Sequence, residues 1–194
     1  MRAGDGALGP RYSRSMRPVS LLPAWACLTL AACAPVSFDT ELKGETTVPA
    51  GPPGVLTPLN AFPAIGSFAG LNFNENQDFK NQGVTSDEVS SVSARSVELR
   101  LLAPDDADFT FLDTLEFFAK AGDQEKRFAS KRDISRLVLR LPNPVLKMDV
   151  EDVELQPFVA APSMSIIVRG KGRMPEQDVR LQAIVVLKVE EDLL

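Results

Sequence analysis

The chain has 194 residues, of which 44% are hydrophobic and 24% are charged, and this is the composition of a single globular domain of ordinary size. Its formal net charge of −5 offers no basic surface for a phosphate backbone, so we expect no nucleic-acid partner. The sequence contains no histidine, which removes the commonest metal ligand and the commonest general base at neutral pH.

An uncharged apolar segment lies near the N-terminus, at residues 19–32, and follows Arg11, Arg14 and Arg17. Its fourteen residues are interrupted by Pro23, whereas a helix that spans a bilayer needs about twenty apolar residues. The apolar core of a secretory signal needs only about 7 to 15 residues after positive charge. Residues 1–32 are therefore predicted to be a signal peptide and not a membrane span.

The end of this segment resembles the lipobox of bacterial lipoproteins. Leu30 is aliphatic, Ala31 and Ala32 are small, and Cys33 follows them. The resemblance implies that a signal peptidase cleaves after Leu30-Ala31-Ala32, and that Cys33 carries a diacylglyceryl group and palmitate as a membrane anchor. Ala34, rather than an aspartate, follows the cysteine. In lipoproteins of this kind that residue favours the outer membrane of the cell envelope, on either its periplasmic or its surface side.

Two further expectations concern where the working protein begins. Residues 1–15 are longer and more glycine-rich than the start of a signal peptide needs, and Met16 opens a compact alternative, which favours Met16 as the start of translation. Removal of residues 1–32 leaves 17 basic and 25 acidic residues, a net charge of −8. We predict a lipidated tether at residues 33–37 and one domain at residues 38–194.

The predicted domain begins with a strand. Phe38, Thr40 and Leu42 alternate with charged residues, which is the period-two pattern of a half-buried strand, and the extended pattern continues to Val48. Residues 49–58 are rich in proline and glycine, so they predict that the strand ends there and that a break follows.

An unusual apolar segment follows the break. Its large side chains are Phe62, Ile65, Phe68, Leu71 and Phe73. The segment is too apolar for a solvated linker, so we expect it to pack across the domain or to form a short strand near residues 68–73. In the alternative interpretation, these five side chains form an exposed contact surface for an envelope protein.

The rest of the chain alternates between strands and breaks. The period-two segments that predict strands are residues 97–101, 115–120, the surroundings of Phe128, 137–141, 164–168 and 179–189. Residues 85–88 match a capping box that opens one helical turn, and residues 170–178 predict a loop between strands. The last strand is apolar on both faces, which predicts a central position with both sides covered.

Seven or eight short strands without a helical apolar stripe predict an all-β fold, an antiparallel β-sandwich of immunoglobulin-like type. Residues 94–124 combine an alternating strand, a loop rich in proline and aspartate, the aromatic sequence FTFL and a second alternating strand. This pattern resembles a strand–loop–strand unit of uncharacterised β-sandwich lipoproteins of bacterial envelopes. The resemblance implies a fold and a location, and no activity.

Four aspartates form a candidate metal site. Asp105, Asp106, Asp108 and Asp113 lie within nine residues, and clustered carboxylates in a loop can bind Ca²⁺. Their spacing is not that of an EF-hand. The alternative is a turn in which the aspartates accept hydrogen bonds from backbone N–H groups.

The sequence predicts no catalysis and no cofactor. The mature chain has no histidine, no tyrosine and no thiol other than the lipidated one, and it lacks the GxSxG and SxxK patterns of nucleophilic enzymes. Acidic runs at residues 151–154 and 190–192 are interpreted as solvated faces. We therefore expect a non-catalytic lipoprotein with a structural or partner-binding role. The alternative is a ligand-binding or transport-accessory module with a pocket between its sheets.

Overall fold

The structure is a computed structural model that describes residues 36–191, so the predicted signal peptide and the lipobox residues 30–33 lie outside the described residues. The elements are β1 (Val36–Val48), β2 (Pro58–Leu59), α1 (Gln77–Gln82), β3 (Val89–Ala103), β4 (Leu112–Ala121), β5 (Gln124–Lys131), β6 (Val145–Lys147), β7 (Asp149–Val150), α2 (Gln156–Val159), β8 (Ser165–Arg173) and β9 (Val179–Glu191). Neither α1 nor α2, nor any other helix within the described range, has the length and apolar character needed to cross a membrane.

Two antiparallel sheets face each other across one hydrophobic core. Sheet A has the strand order β1-β9-β3-β6, and sheet B has the order β2-β8-β4-β5-β7. The antiparallel β-sandwich predicted from the sequence is confirmed. The strand order refines the expected immunoglobulin-like arrangement, because the first and last strands lie side by side and the chain crosses between the sheets as in a jelly roll.

Strand β9 is the centre of sheet A. It pairs with all thirteen residues of β1 along one edge and with β3 along the other. Its side chains that are at most 1% exposed are Val179, Leu181, Ala183, Val185, Leu187 and Val189. Ile184, on the opposite face, is also buried. The predicted central strand is confirmed, and burial of each large aliphatic side chain contributes roughly 1.5–3 kcal/mol.

The apolar segment between β2 and α1 packs into the core. Phe62, Ile65, Phe68 and Phe73 are buried, and Leu71 is half-buried. Of the short strand predicted near residues 68–73, only the isolated bridge between Leu71 and Met164 forms, and 3-10 turns at Gly66–Phe68 and Phe73–Glu75 flank it. Strand β1 makes room at Gly44, where an added Cβ would lie 2.2 Å from a methyl carbon of Ile65. These side chains therefore cover the core, which corrects the alternative interpretation of an exposed contact surface.

The strand predicted at residues 137–141 is wrong. These residues lie in the loop between β5 and β6, where Val138 is fully exposed. The edge of sheet A is occupied instead by Val145–Lys147, which pairs with β3. Pro142 and Pro144 have no N–H to donate to a ladder, so the alternating leucines before them find no partner strand.

The loop predicted at residues 170–178 begins later than expected, because residues 170–173 continue β8 and only residues 174–178 form the loop. The backbone of Gly172 packs closely against β4. A Cβ added at Gly172 would lie 2.1 Å from the carbonyl oxygen of Phe111. Glycine is needed here because two backbones approach each other, and not because the chain turns.

Thr85 and Glu88 form the predicted capping interaction. The Glu88 carboxylate accepts hydrogen bonds from the N–H of Thr85 at 2.9 Å and from its hydroxyl at 2.8 Å. The backbone N–H and the hydroxyl hold the pKa of Glu88 below its ordinary value. The interaction closes a turn before β3, and no helix begins there, since the helix of this region is α1.

We predict that Gly172→Ala destabilises the domain by roughly 3 kcal/mol, because the new Cβ would overlap the Phe111 carbonyl and push β4 from β8. For a chain of this size, that loss lowers the melting temperature by roughly 6–12 °C. Gly66→Ala is the matched control, since an added Cβ there meets nothing within 4 Å. Thermal melts followed by circular dichroism compare the two variants, and equal melting temperatures would contradict this packing.

Candidate functional site

Four loops meet at one end of the sandwich, which we call the loop end. They are loop 1 (residues 49–57), loop 2 (104–111), loop 3 (132–144) and loop 4 (174–178). The strand registers bring them together, because β1 and β3 end where β6 and β9 begin. The described chain starts at the opposite end, at Val36. The thirteen residues of β9 separate the two ends by about 40 Å.

The exposed large hydrophobic side chains of the described residues all lie at the loop end. They are Val55 and Leu56 in loop 1, and Leu137, Val138, Leu141 and Val145 in or beside loop 3. Leu56 is 80% exposed and Val138 is 100% exposed. Removing such side chains from water is favourable by roughly 25 cal/mol per Å². Their confinement to one end marks the loop end as a candidate contact surface.

Backbone hydrogen bonds fix loop 1 against loop 4. The N–H of Gly51 donates to the carbonyl of Pro175 at 2.8 Å, and the N–H of Met174 donates to the carbonyl of Thr57 at 2.8 Å. Side chains of loops 1, 2 and 4 line a cleft of about 270 Å³ beside Leu56. The apolar tip of loop 1 is therefore held next to a cleft that loops 2 and 4 complete.

Acidic and basic residues are segregated among the four loops. Loops 2 and 4 carry five acidic residues and no basic residue: Asp105, Asp106, Asp108, Glu176 and Asp178. Loop 3 carries three arginines and one acid: Arg132, Arg136, Arg140 and Asp133. Loop 1 is uncharged. The loop end therefore has an acidic side and a basic side, each next to exposed apolar side chains.

The four aspartates considered for calcium are not brought together. Asp108 accepts hydrogen bonds from the N–H and the hydroxyl of Thr110, in the way the turn interpretation predicts. Asp113 accepts a hydrogen bond from the hydroxyl of Ser135, in loop 3, at 2.8 Å. Asp105 and Asp106 are exposed. From residue 36 to residue 191, no group of three or more acidic residues or cysteines is placed to hold a metal ion.

Charged residues on the outer face of sheet B form ion pairs. Glu116 and Glu151 accept hydrogen bonds from the guanidinium of Arg127, at 2.7 and 2.6 Å, and they raise its pKa. Arg169 lies 4.4 Å from the ring centroid of Phe118, which is the geometry of a cation–π contact. Because Glu116 and Glu151 share one cation, neither is placed as a free acid or base.

A second cleft, of about 570 Å³, lies beside β8. Phe62, Ile65 and Phe68 border it on one side, and Ile167 of β8 borders it on the other. It borders residues 165–168 of β8, a part of the strand with which β2 does not pair. Its volume is within the range of small-molecule sites.

Comparison with known proteins gives distant similarities in structure. No family model and no curated protein matches the chain. The decameric BFDV capsid protein is 9% identical with a TM-score of 0.41, and the match covers 82% of this chain and 100% of that chain. The structure of Cocksfoot mottle virus is 10% identical with a TM-score of 0.27, covering 94% and 98%. Similarity this distant carries no argument about function.

Sequence reasoning misses the exposed apolar residues of loops 1 and 3. Val55 and Leu56 lie in a segment that its prolines and glycines mark only as a break. Val138 and Leu141 lie in a segment whose alternation predicts a strand. Prolines close both segments, at Pro58 and Pro142, and this is the one signal in the sequence that argues against a buried position.

Glu154 joins the start of β3 to the start of α2. Its carboxylate accepts hydrogen bonds from the N–H groups of Val92 and Gln156, both at 2.8 Å, and from the hydroxyl of Ser91 at 2.7 Å. Partial burial raises the pKa of Glu154, but these donors together outweigh it and hold the pKa below its ordinary value. The carboxylate therefore stabilises the fold and is not poised to transfer a proton.

We predict that Glu154→Gln lowers the free energy of unfolding at pH 7 by about 1 kcal/mol, a modest value because solvent screens the exposed carboxylate. Since the folded pKa lies below the ordinary 4.5, the contribution is present above pH 4.5 and is lost as the pH falls through the folded pKa. Urea unfolding from pH 7 to pH 3 measures the difference in the free energy of unfolding between wild type and variant. Asp152→Asn, at an exposed residue, is the control. A difference in the free energy of unfolding that stays constant across this pH range would contradict the stabilising role of the Glu154 carboxylate.

Proposed function

We propose that the chain is a lipid-anchored protein of the bacterial cell envelope, held in the outer membrane, whose β-sandwich binds a protein partner without catalysis. The anchor is supported by the sequence Leu30-Ala31-Ala32-Cys33. A single acyl chain binds a bilayer only marginally, with a constant of about 10⁴ M⁻¹, whereas a cysteine that carries two or three chains stays bound. An anchor of this kind fits a protein that works from one fixed surface.

The observation that carries the binding role is the confinement of exposed large hydrophobic side chains to the loop end. Apart from Val145, the large apolar strand side chains whose burial is described are buried or half-buried, so the domain has a complete core without these exposed side chains. Exposed Val138 and Leu56 add nothing to that core. A partner that covers them gives these side chains a favourable free energy of burial.

The short covalent distance between the proposed anchor and the domain supports an arrangement in which the loop end faces away from the membrane. Three residues take the chain from Cys33 to Val36, a span of at most about 11 Å. The loop end lies about 40 Å from Val36 along β9. A domain anchored through Cys33 can therefore present the loop end well beyond the membrane surface.

We predict that Cys33→Ala abolishes the incorporation of labelled palmitate, because the thiol is the atom to which the diacylglyceryl group attaches. The variant should also keep its signal peptide, since cleavage follows lipidation; the peptide adds about 2 kDa on a gel for translation from Met16 and about 3 kDa for translation from Met1. Cys27→Ala is the matched control and should be labelled and processed like the wild type. The measurement is metabolic labelling in a bacterial host. Equal labelling of Cys33→Ala and wild type, or an unlabelled wild type, would contradict the proposed lipid anchor at Cys33.

A second candidate function is ligand binding in the cleft beside β8, which its volume of about 570 Å³ and its phenylalanine lining favour. In that case an apolar fluorescent probe should bind one site per chain. Ala69→Trp, which fills the cleft, should then weaken binding about tenfold, while Lys126→Trp outside the cleft should not. Probe fluorescence that does not respond to Ala69→Trp would exclude this site.

A further inference from the structure

We infer that the edge of β8 that faces away from β4 binds an extended peptide in which apolar and acidic residues alternate, and that this peptide adds a strand to sheet B. The inference goes beyond the proposed role of the loop end. It rests on the second candidate function in one respect, the cleft beside β8 as a binding site, for which it names the ligand.

Alternate residues of β8 direct their backbone groups away from β4. At one end of this edge, Met164 exchanges two backbone hydrogen bonds with Leu71, at 2.7 and 2.9 Å. At the other end, Gly172 pairs with Leu59 of β2. Between these two pairs, three residues turn their N–H and C=O groups to the same edge and find no partner strand there in the described part of the chain: Ile166, Val168 and Gly170.

Six backbone groups that repeat every second residue are the complement of one extended backbone. The chain itself occupies the neighbouring sheet position at both ends, through Leu71 and Leu59, and no described strand occupies it in between. The intervening residues 165–171 span about 23 Å. Every pairing of sheet B is antiparallel, so we expect an antiparallel strand of about seven residues here.

A groove runs along this unpaired edge. The cleft of about 570 Å³ borders residues 165–168 of β8, and a further cleft of about 470 Å³ borders residues 168–171. The two clefts share Phe62 and Val168. Together they border every residue of the unpaired stretch, and we call them the edge groove.

The edge groove is apolar on the side of the core. Ile166 is buried on that side of β8, whereas Ile167 is half-buried on the outer side, and both line the first cleft. The side chains of an added strand alternate between the same two sides. On the core side they would meet Phe62, Ile65 and Phe68. Every second residue of the peptide is therefore expected to be apolar.

The outer side of the edge groove is basic. Its charged side chains are three cations and one acid: Lys120, Arg169, Lys171 and Glu116. The acid is bound by Arg127, and Arg169 pairs with Glu125. Lys120 and Lys171 are exposed and form no ion pair with any residue from 36 to 191. This positive charge, on a chain whose net charge is negative, favours acidic residues at the outward positions of the peptide.

Two other occupants fit the edge groove less well. The β8 edge of a second copy would bring two edges of the same positive sign together, which charge repulsion disfavours. A small apolar molecule would leave the cations and most of the backbone groups without partners. An acidic extended peptide supplies partners for both.

Fluorescence polarisation of a labelled heptapeptide tests the inference, with the full chain held in nanodiscs of neutral lipid. The peptide alternates glutamate and valine, EVEVEVE, and we expect one to bind per chain. Replacing its glutamates by lysine should weaken binding about tenfold or more. N-methylation of the three valines should abolish binding, because in an antiparallel addition their N–H groups face β8. N-methylation of the two inner glutamates, whose N–H groups face solvent, should not.

Lys120→Glu with Lys171→Glu reverses the charge of the edge groove. This double variant should bind the glutamate peptide about tenfold or more weakly, and it should bind the lysine peptide more tightly than the wild type does. The matched control is Arg95→Glu with Lys147→Glu, which makes the same change in net charge at exposed side chains of sheet A. The control should bind both peptides as the wild type does.

Residue-resolved hydrogen exchange by NMR locates the bound peptide. Binding should slow exchange at the amides of Ile166, Val168 and Gly170, and it should leave Ile167 and Arg169, which face β4, unchanged. Binding without this protection overturns the inference. So does the absence of binding at peptide concentrations up to about 1 mM, or binding that N-methylation of the valines does not weaken.

The apolar fluorescent probe keeps this inference separate from the second candidate function. A probe that binds the cleft while the glutamate peptide does not overturns strand addition and leaves the small-molecule site in place. A peptide that protects β8 while the probe does not bind overturns the small-molecule site and leaves strand addition in place.

Discussion

The pairing of β9 with both β1 and β3 is the interaction on which the rest of the structure depends. It joins the last strand of the described chain to the first over thirteen residues, and it places six nearly inaccessible side chains at the centre of the core. Without it, β1 would lose its only partner strand and β3 would keep only the three-residue pairing with β6. Such a long-range pairing costs chain entropy that the buried apolar surface has to offset.

This pairing also creates the candidate functional surface. Because β9 runs antiparallel to both neighbours, the ends of β1 and β3 and the starts of β6 and β9 fall together, and their loops meet. The fold thus collects uncharged loop 1, acidic loops 2 and 4 and basic loop 3 at one end. Each loop is unremarkable in isolation. Their segregated charges and exposed apolar side chains come together in one candidate contact surface only through the strand order.

The sequence predicts the strands well wherever one face is buried. The alternation at residues 179–189 identifies the central strand, and the density of phenylalanine at residues 60–73 identifies a segment that packs on the core. Period-two patterns do not encode pairing partners, so neither the jelly-roll order nor the convergence of the loops could be predicted. The same limit explains residues 137–141, whose alternation has no partner strand, and Gly172, whose role depends on the distant Phe111 carbonyl.

Peptide-resolved hydrogen exchange tests the account most directly. It predicts that amides of β9 exchange more slowly than those of any other described strand, because β9 is buried and is paired along nearly its whole length on both edges. Exchange in β9 as rapid as in loops 1 to 4 would contradict the account.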